Sequence, residues 1–463
     1  MRKKLILLGS FLMAALLALG TMAPMPVQAA TFQIDFETES AAICLVNVDT
    51  GTVVYEKNAD ERRAQASLTK VMTFIVASEH ITDPENTKIT ASEFDIHSLD
   101  GTGSSMANVL AGETFSALDW YYALMVPSGN DAAMVLADFV GGGCTGETSS
   151  QENIDNFVQM MNDKAQEMGL TNTHFANPHG LDQENHYTSA RDSCTIAQYA
   201  MQLSHFMDIV TTSSYELPDS NLRTKAEIDT LYSTNFMQNP QYEEYYYEYV
   251  KGIKTGTETN AGRCIVTSAN NGKYTYICTA LGAPDQNADG TTVETNGAML
   301  DTKKLYQWAF ENLEIKPIVN MDVPVTEIGL ELAWQRDTLK LMPESNLSVL
   351  LPKDIEISSI IATPNEDVPE SVVAPVTKGQ VLGSATLSYA NQELGTIQLI
   401  ADEDIPRSDL LYYLQGIRDV VTNKWFIFAV IVFVILFIVY LIISTIYNRR
   451  NRRRRRVKNY RRL

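Results

Sequence analysis

The chain has 463 residues, of which 45% are hydrophobic and 20% are charged, and its formal net charge is −20. So acidic a body repels polyanions, which argues against nucleic acid as a partner. The five cysteines are odd in number and form no C-x-x-C pair and no cluster with histidine, so they favour neither a disulfide framework nor a zinc site. The length suffices for two globular domains.

A signal peptide is predicted over residues 1–29. Three cations, Arg2, Lys3 and Lys4, precede a short apolar run, and small residues then lead to the A-x-A-like site Val27-Gln28-Ala29. This pattern predicts export and cleavage near Ala29. A retained N-terminal anchor is the alternative interpretation.

Helices flanked by strands are predicted for residues 30–314. In chain order, the pattern indicates a strand–turn–strand unit (42–55), a helix near Ser67, a helical hairpin broken at 126–130 (117–140), an amphipathic helix (151–168), strands (249–256 and 263–282) and a closing helix (303–310). Strands at both ends with helices between them predict an α+β fold whose terminal segments share one sheet.

A second, all-β domain is predicted over residues 315–405, where short alternating stretches are separated by Pro, Gly and Asn. A linker is assigned to residues 406–424. Residues 425–447 then form a run of 23 residues without a charge. At about 1.5 Å per residue this run crosses a hydrocarbon core of about 30 Å, so we predict one transmembrane helix.

The last segment, residues 448–463, is a basic tail with ten cations and no acid. Cations that flank a membrane span stay on the cytoplasmic side, so this tail is predicted to be cytoplasmic and the body of the protein extracellular. An arginine run can also bind nucleic acid, which is the competing interpretation of this tail.

The two cysteines Cys264 and Cys278 flank an Asn271-Gly272 turn. A two-residue hairpin at this turn would pair Cys264 with Thr279 and place the two cysteines on opposite faces of the sheet. We therefore interpret both as small buried apolar residues rather than as a cross-strand disulfide.

Three short motifs indicate nucleophilic chemistry: Ser67-Leu68-Thr69-Lys70, Ser128-Gly129-Asn130 and Lys254-Thr255-Gly256. On a helix, a spacing of three places Ser67 and Lys70 on one face, one turn apart. A serine hydroxyl needs an adjacent base, and a lysine can serve once its ammonium form is destabilised. Repulsion from a second lysine has this effect, and Lys254 is the candidate.

The trio S-x-x-K, S-x-N and K-T-G is the signature of penicillin-binding proteins and class A β-lactamases. The chain resembles the D-alanyl-D-alanine carboxypeptidases, the low-molecular-mass penicillin-binding proteins. Further segments carry the resemblance: P-S-G-N-D-A-A from Pro127, H-F-A-N-P-H-G-L from His174, G-I-K-T-G-T from Gly252 and A-P-V-T-K-G-Q from Ala374.

The resemblance implies a β-lactamase-like α/β domain followed by a small β domain, and an enzyme that needs no cofactor and no metal. Its substrate would be the D-Ala-D-Ala end of a peptidoglycan pentapeptide, and β-lactam antibiotics would inhibit it. The implied catalytic residues are Ser67 as nucleophile, Lys70 as its base and Ser128 as the proton relay towards the leaving D-alanine.

The same resemblance implies five substrate-binding residues. Asn130 would hold Lys70 and the substrate amide, and the other four are Lys254, Thr255, Gly256 and Thr257. The backbone N–H groups of Ser67 and Thr257 would form the oxyanion hole.

Two departures from the family pattern stand out. The chain ends in a full membrane span with a basic tail, where an amphipathic surface anchor is common in the family. Also, residues 274–301 contain no Lys or Arg, although many members carry a basic residue there. Recognition of the substrate carboxylate then rests on Lys254, Thr255 and Thr257, and part of that role is unassigned.

Three other polar residues receive no direct catalytic role. His179 is interpreted as part of a supporting loop, and Arg191 has no assigned role. Glu152, in an E-x-x-x-N pattern like that of deacylating β-lactamases, is interpreted as an acid favoured at a helix start. The alternatives to a carboxypeptidase are a β-lactamase or D,D-endopeptidase on the same scaffold, and a catalytically idle cell-wall scaffold.

Overall fold

The computed structural model describes residue 32 and residues 34–287, 289–390 and 392–460, the side chains of 452–460 excepted, so the predicted signal peptide lies outside the described residues. Contacts divide the chain into two compact units. The first runs to Lys316 and also includes Ser348–Ile357; the second comprises Pro317–Leu347 and the chain from Ser358 onward.

A five-stranded antiparallel sheet forms the centre of the first unit, in the order β2-β1-β9-β8-β7. These strands are β1 (Ala42–Asn47), β2 (Val53–Lys57), β7 (Val250–Glu258), β8 (Gly262–Asn270) and β9 (Thr275–Ala283). Short pairs are formed by β3 (Lys88–Thr90) with β4 (Thr114–Ser116) and by β5 (Ser214–Tyr215) with β6 (Leu231–Tyr232). The first and last segments of the unit share one sheet, as predicted.

Helices cover both faces of this sheet. They are α1 (Thr69–His80), α2 (Glu93–His97), α3 (Ala117–Met125), α4 (Asn130–Gly141), α5 (Gln151–Glu167), α6 (Ala190–Ala200), α7 (Phe206–Val210) and α8 (Gly297–Asn312). Strand residues alternate between two apolar clusters: Cys264 and Val266 pack into the larger helical cluster, whereas Ile265 packs into the cluster that contains α8. The predicted break between α3 and α4 is present, and α8 is longer than the predicted helix.

The turn between β8 and β9 differs from the predicted hairpin. Strand β8 ends at Asn270 and β9 begins at Thr275, so the loop has four residues, and Val266 rather than Cys264 pairs with Thr279. Cys264 and Cys278 still belong to different apolar clusters, and neither forms a disulfide. The predicted register was wrong, whereas the predicted separation of the cysteines is confirmed.

The boundary of the predicted β domain also differs. Strand β10 (Leu313–Pro317) pairs with β13 (Ser348–Pro352), and this pairing joins Ser348–Ile357 to the first unit. Sequence order alone had assigned that strand to the second domain, because the alternation of residues does not reveal which strand is the pairing partner.

A six-stranded sheet forms the second unit, in the order β14-β16-β17-β12-β11-β15. Its strands are β11 (Thr326–Glu331), β12 (Thr338–Pro343), β14 (Ile361–Pro364), β15 (Ser371–Val373), β16 (Val381–Tyr389) and β17 (Gln392–Ala401). All pairs are antiparallel except β11 with β15. The predicted all-β character is confirmed.

Two helices follow this sheet. Residues predicted as a linker form helix α9 (Asp409–Thr422), whose first turn is capped by the Ser408 hydroxyl. Helix α10 (Lys424–Tyr460) contains the predicted membrane span. Within the described part of the chain, Lys424–Asn451 is the helical segment long and apolar enough to cross a membrane.

Candidate active site

The S-L-T-K motif forms a tight turn before a helix. Ser67 lies in a 3₁₀ turn, Ala66–Leu68, directly ahead of α1. Ala66 has a φ of 47°, a left-handed conformation that costs a residue with a Cβ roughly 1–3 kcal/mol. The Thr69 hydroxyl donates a hydrogen bond to the Ala66 carbonyl at 2.8 Å. The turn leaves Ser67 half-buried while Lys70 is fully buried.

Lys70 is the centre of the site's hydrogen bonding. Its Nζ lies 2.9 Å from Ser67 Oγ, 2.6 Å from Asn130 Oδ1 and 2.6 Å from the carbonyl oxygen of His179. Burial, followed by the charge of Lys254, lowers the pKa of Lys70 well below its ordinary value. The prediction that a second lysine destabilises the ammonium is therefore correct in sign, although burial is the larger cause.

These three partners suit a neutral amine. Asn130 Oδ1 and the His179 carbonyl can only accept, so they take the two N–H bonds of an uncharged Lys70. The nitrogen lone pair then remains for the Ser67 hydroxyl. The geometry thus allows Lys70 to accept the proton of the nucleophile.

The S-G-N motif joins two helices through a constrained loop. Ser128 is buried and has a φ of 67°. A Cβ on Gly129 would lie 2.6 Å from the Ala123 carbonyl oxygen, so this position needs glycine. The Asn130 N–H donates to the Ser105 carbonyl at 2.8 Å, which fixes the loop against the preceding segment.

Asp131 anchors the same loop from within the core. Its carboxylate is fully buried and accepts backbone N–H bonds from Ala107 and Ala132, each at 2.9 Å. Burial raises the pKa of Asp131, and these hydrogen bonds oppose the rise. The negative charge also acts on Lys70, where it raises the pKa against the larger effect of burial.

The K-T-G motif lies on β7, the edge strand beside the turn Ala66–Leu68 that carries Ser67. Lys254 is buried and donates to the Thr255 carbonyl at 2.8 Å, and burial lowers its pKa to about 7. The hydroxyls of Thr255 and Thr234 are 2.5 Å apart. A Cβ on Gly256 would lie 3.0 Å from the Ser67 nitrogen, so glycine lets the strand approach the turn.

Thr257 is exposed on β7 and lies directly opposite Arg263 on β8. The Arg263 guanidinium donates to the carbonyls of Val293 and Thr295. Residues 274–301 contain no Lys or Arg, but the Arg263 side chain from β8 contacts this segment at Val293 and Thr295. Arg263 was not among the predicted site residues.

The loop that contains His179 contributes backbone rather than imidazole. Its carbonyl oxygen contacts Lys70, and burial lowers the pKa of the His179 ring to about 3. Gly180, with a φ of 100°, would place a Cβ 2.1 Å from the Ala66 carbonyl oxygen. The interpretation of this segment as a supporting loop agrees with these contacts.

Two other candidates lie elsewhere. Arg191 is engaged by Glu56 and Asp60. Glu152 is exposed in the first turn of α5, and its neighbour Asn153 contacts the C-terminal end of α4, whereas Asn130 begins that helix. Twelve helical residues separate the two ends by roughly 17 Å. Among the described residues no group of three or more His, Cys, Asp and Glu could hold a metal ion.

Two family models match this chain. Residues 27–285 match the family described as D-alanyl-D-alanine carboxypeptidase, and residues 332–407 match the C-terminal domain of penicillin-binding protein 5. The chain is 28% identical to D-alanyl-D-alanine carboxypeptidase DacF of Bacillus subtilis, over 83% of this chain and 90% of the relative. It is 32% identical to a D-alanyl-D-alanine carboxypeptidase of Streptomyces, over 62% of this chain and 95% of the relative.

A solved structure gives the same result. Penicillin-binding protein 5 of Haemophilus influenzae superposes with a TM-score of 0.62 at 25% identity, covering 81% of this chain and all of that one. The matched family spans more than half of the present chain. The chain belongs to the D-alanyl-D-alanine carboxypeptidase family of serine-type, penicillin-binding hydrolases.

Proposed function

We propose that this protein removes the terminal D-alanine from peptidoglycan stem peptides through an acyl-enzyme on Ser67. One observation carries the proposal: the Nζ of a fully buried Lys70 lies 2.9 Å from Ser67 Oγ, with its other two partners able only to accept. A buried amine held in this way is a base for the serine hydroxyl.

Acylation begins when Ser67 Oγ attacks the carbonyl carbon between the two D-alanines and Lys70 takes the hydroxyl proton. The tetrahedral oxyanion is stabilised by the N–H groups of Ser67 and Thr257, each such donor contributing roughly 3 kcal/mol. Collapse breaks the C–N bond, and Ser128 passes a proton to the departing amine. Water then attacks the ester and frees Ser67.

The substrate's terminal carboxylate is assigned to Lys254, Thr255 and Thr257, with Gly256 giving the strand its close approach. Asn130 contacts the substrate amide and Lys70. Lys254 supplies positive charge in its protonated form, and its contact with the Thr255 carbonyl keeps the ammonium next to the strand. An anionic substrate end would favour that protonated form.

Residues 30–314 form the catalytic domain in this proposal, and the β-rich region after it carries no catalytic residue. Residues 425–447, within the helical segment Lys424–Asn451, cross the bacterial membrane once, with the catalytic domain outside and the basic tail 448–463 in the cytoplasm. The apolar side chains of the span are exposed along the helix, as in Phe433 and Leu436, which supports contact with lipid.

The test uses the full-length protein in detergent with a pentapeptide that ends in D-Ala-D-Ala, and measures the free alanine released, of either configuration. A peptide ending in L-alanine and the Ser67→Ala variant are the controls. We expect release from the D,D substrate by the unaltered protein alone. Release that survives Ser67→Ala would contradict the assigned mechanism.

Parallel substrates separate the other activities of this scaffold. Rapid turnover of a chromogenic cephalosporin would indicate a β-lactamase, and cleavage of cross-linked muropeptides would indicate an endopeptidase. No turnover of any of these, with a folded protein, would favour an idle scaffold.

A further inference from the structure

A histidine outside the three motifs contacts the nucleophile helix. His186 Nε2 lies 2.7 Å from the hydroxyl oxygen of Thr69, the residue between Leu68 and Lys70. Both side chains are buried: Thr69 is 0% exposed and His186 is 5% exposed. The two residues are 117 positions apart in the chain, so this contact joins separate segments.

The hydrogen bonds around His186 run in one direction. The Ala176 N–H donates to His186 Nδ1 at 2.9 Å, so this nitrogen is an acceptor and the ring proton is on Nε2. Nε2–H therefore donates to the Thr69 hydroxyl, whose own hydrogen goes to the Ala66 carbonyl. Burial lowers the pKa of His186 to about 3, which keeps the ring in this neutral form.

This series of hydrogen bonds ends at Ala66, the residue of the Ala66–Leu68 turn that has a left-handed backbone conformation. Ala66 holds its left-handed φ of 47° immediately before Ser67. Its carbonyl accepts from the Thr69 hydroxyl and the Thr69 N–H, both from the same residue. Loss of the hydroxyl would remove one of the two hydrogen bonds that the Ala66 carbonyl accepts from Thr69.

His186 is also connected to a second partner of Lys70, the loop that contains His179. Ala176, which donates to the ring, belongs to the loop whose His179 carbonyl accepts from Lys70. One imidazole thus connects the helix that carries the nucleophile and its base with the loop that fixes the base.

We propose that His186, acting through Thr69, is a positioning residue that sets the geometry of Ser67 and Lys70 for acylation. This inference rests on the proposed role of Ser67. Neither side chain needs to touch substrate, so its loss should slow the chemical step and leave binding intact. A misplacement of about 1 Å can cost roughly 100-fold in rate.

The matched pair Thr69→Val and Thr69→Ser tests the hydroxyl, since valine keeps the shape of threonine and serine keeps the hydrogen bond. Acylation by a fluorescent penicillin is followed against penicillin concentration in full-length protein, which separates the maximal rate constant from the dissociation constant. We expect Thr69→Val to lower the rate constant about tenfold or more with a dissociation constant changed less than about twofold. Thr69→Ser should stay within about threefold of the unaltered protein.

His186→Phe provides the second arm, with the double variant His186→Phe/Thr69→Val. Because the two residues act in one chain, the double variant should be no slower than the slower single variant. Independent, multiplying losses would overturn the proposal, and so would an unchanged rate constant or a loss confined to binding. Thermal melts of each variant show that it is folded; if Thr69→Val does not fold, Thr69→Ala replaces it in the same cycle.

The Ser67→Ala variant keeps this result separate from the proposed function. Labelling that persists in Ser67→Ala removes Ser67 from the mechanism and with it the proposed function. Labelling abolished there but unaffected by Thr69→Val and His186→Phe overturns only the positioning role.

Discussion

The two units differ in what they bury. In the first unit the buried polar side chains include Lys70, Asp131, His186 and Lys254, whereas among the described residues of the second unit Ser384 is the buried polar side chain. Burying a charge is expensive unless hydrogen bonds compensate it. The first unit bears that cost at several places, one of which is the cluster around Ser67, whereas the described residues of the second unit bury no charged side chain.

The C-terminal helices differ from the first unit in the opposite way, because they expose large apolar side chains instead of burying polar ones. Helix α9 exposes Tyr413 and Ile417, and α10 exposes Trp425 and Phe433. Large apolar side chains exposed in such number mark contact with a membrane or another protein. The contrast supports chemistry in the first unit and attachment through the end of the chain.

Ser67→Ala should produce the largest effect, because it removes the proposed nucleophile, whose hydroxyl oxygen lies 2.9 Å from the Nζ of the buried Lys70. We expect loss of covalent labelling by a fluorescent penicillin, on the order of 10⁶ in rate, with the thermal melt preserved. Gel fluorescence after incubation measures the label. If Ser67→Ala is labelled at a rate comparable to that of the unaltered protein, the nucleophile activated by the buried polar cluster is a residue other than Ser67.

Lys254 should impose an alkaline limit on acylation. Its pKa of about 7 means that the free enzyme loses this positive charge as the pH rises through that value. The second-order rate constant for acylation should therefore fall above about pH 7, while the need for an uncharged Lys70 slows it on the acid side.

Lys254→Arg sharpens this prediction, because a guanidinium stays charged throughout the working range. A folded variant should acylate more slowly at its optimum and have its alkaline limb moved upward by at least about one pH unit. Circular dichroism is the control for folding. An alkaline limb that stays at the original pH would assign the limit to a different group.

Truncation before Trp425 should change attachment and leave chemistry almost intact. No residue of the described site comes from beyond residue 424, so D-alanine release in solution should stay within about twofold of the full-length protein in detergent. Sedimentation with liposomes should be lost. A folded but inactive truncated protein would show that the membrane segment takes part in catalysis.

The site was predictable from sequence to the extent that its contacts are local. Ser67 and Lys70 share a helix face, and a spacing of three is enough to reveal this. Thr69 and His186 are far apart in the chain, and nothing in either local sequence indicates their contact.

For the fold, too, the features set by local sequence were predictable, whereas those set by distant pairing were not. The α+β layout and the break before Asn130 were visible in local patterns. The register of Cys264 was not, because a four-residue loop and a bulge after Arg263 replaced the predicted two-residue turn. The helix at Asp409–Thr422 was missed because residues 406–424 were assigned as a linker from their place between a domain and a span, although their sequence is rich in Leu, Tyr and Val.

Glu152→Gln should produce the smallest effect, namely none on the lifetime of the penicilloyl-enzyme. A β-lactamase needs a base that directs water to the ester, and Glu152 is the residue whose sequence pattern suggests one. The structure exposes it on α5, beside the end of α4 distant from Asn130. Without a dedicated base, the thiazolidine ring that stays attached blocks water, whereas departure of D-alanine from the natural substrate lets water enter. Mass spectrometry of the acyl-enzyme over minutes measures the lifetime, with Asp155→Asn on the same helix as the matched control. A short lifetime that Glu152→Gln lengthens greatly would place a deacylating base at this position and favour the β-lactamase.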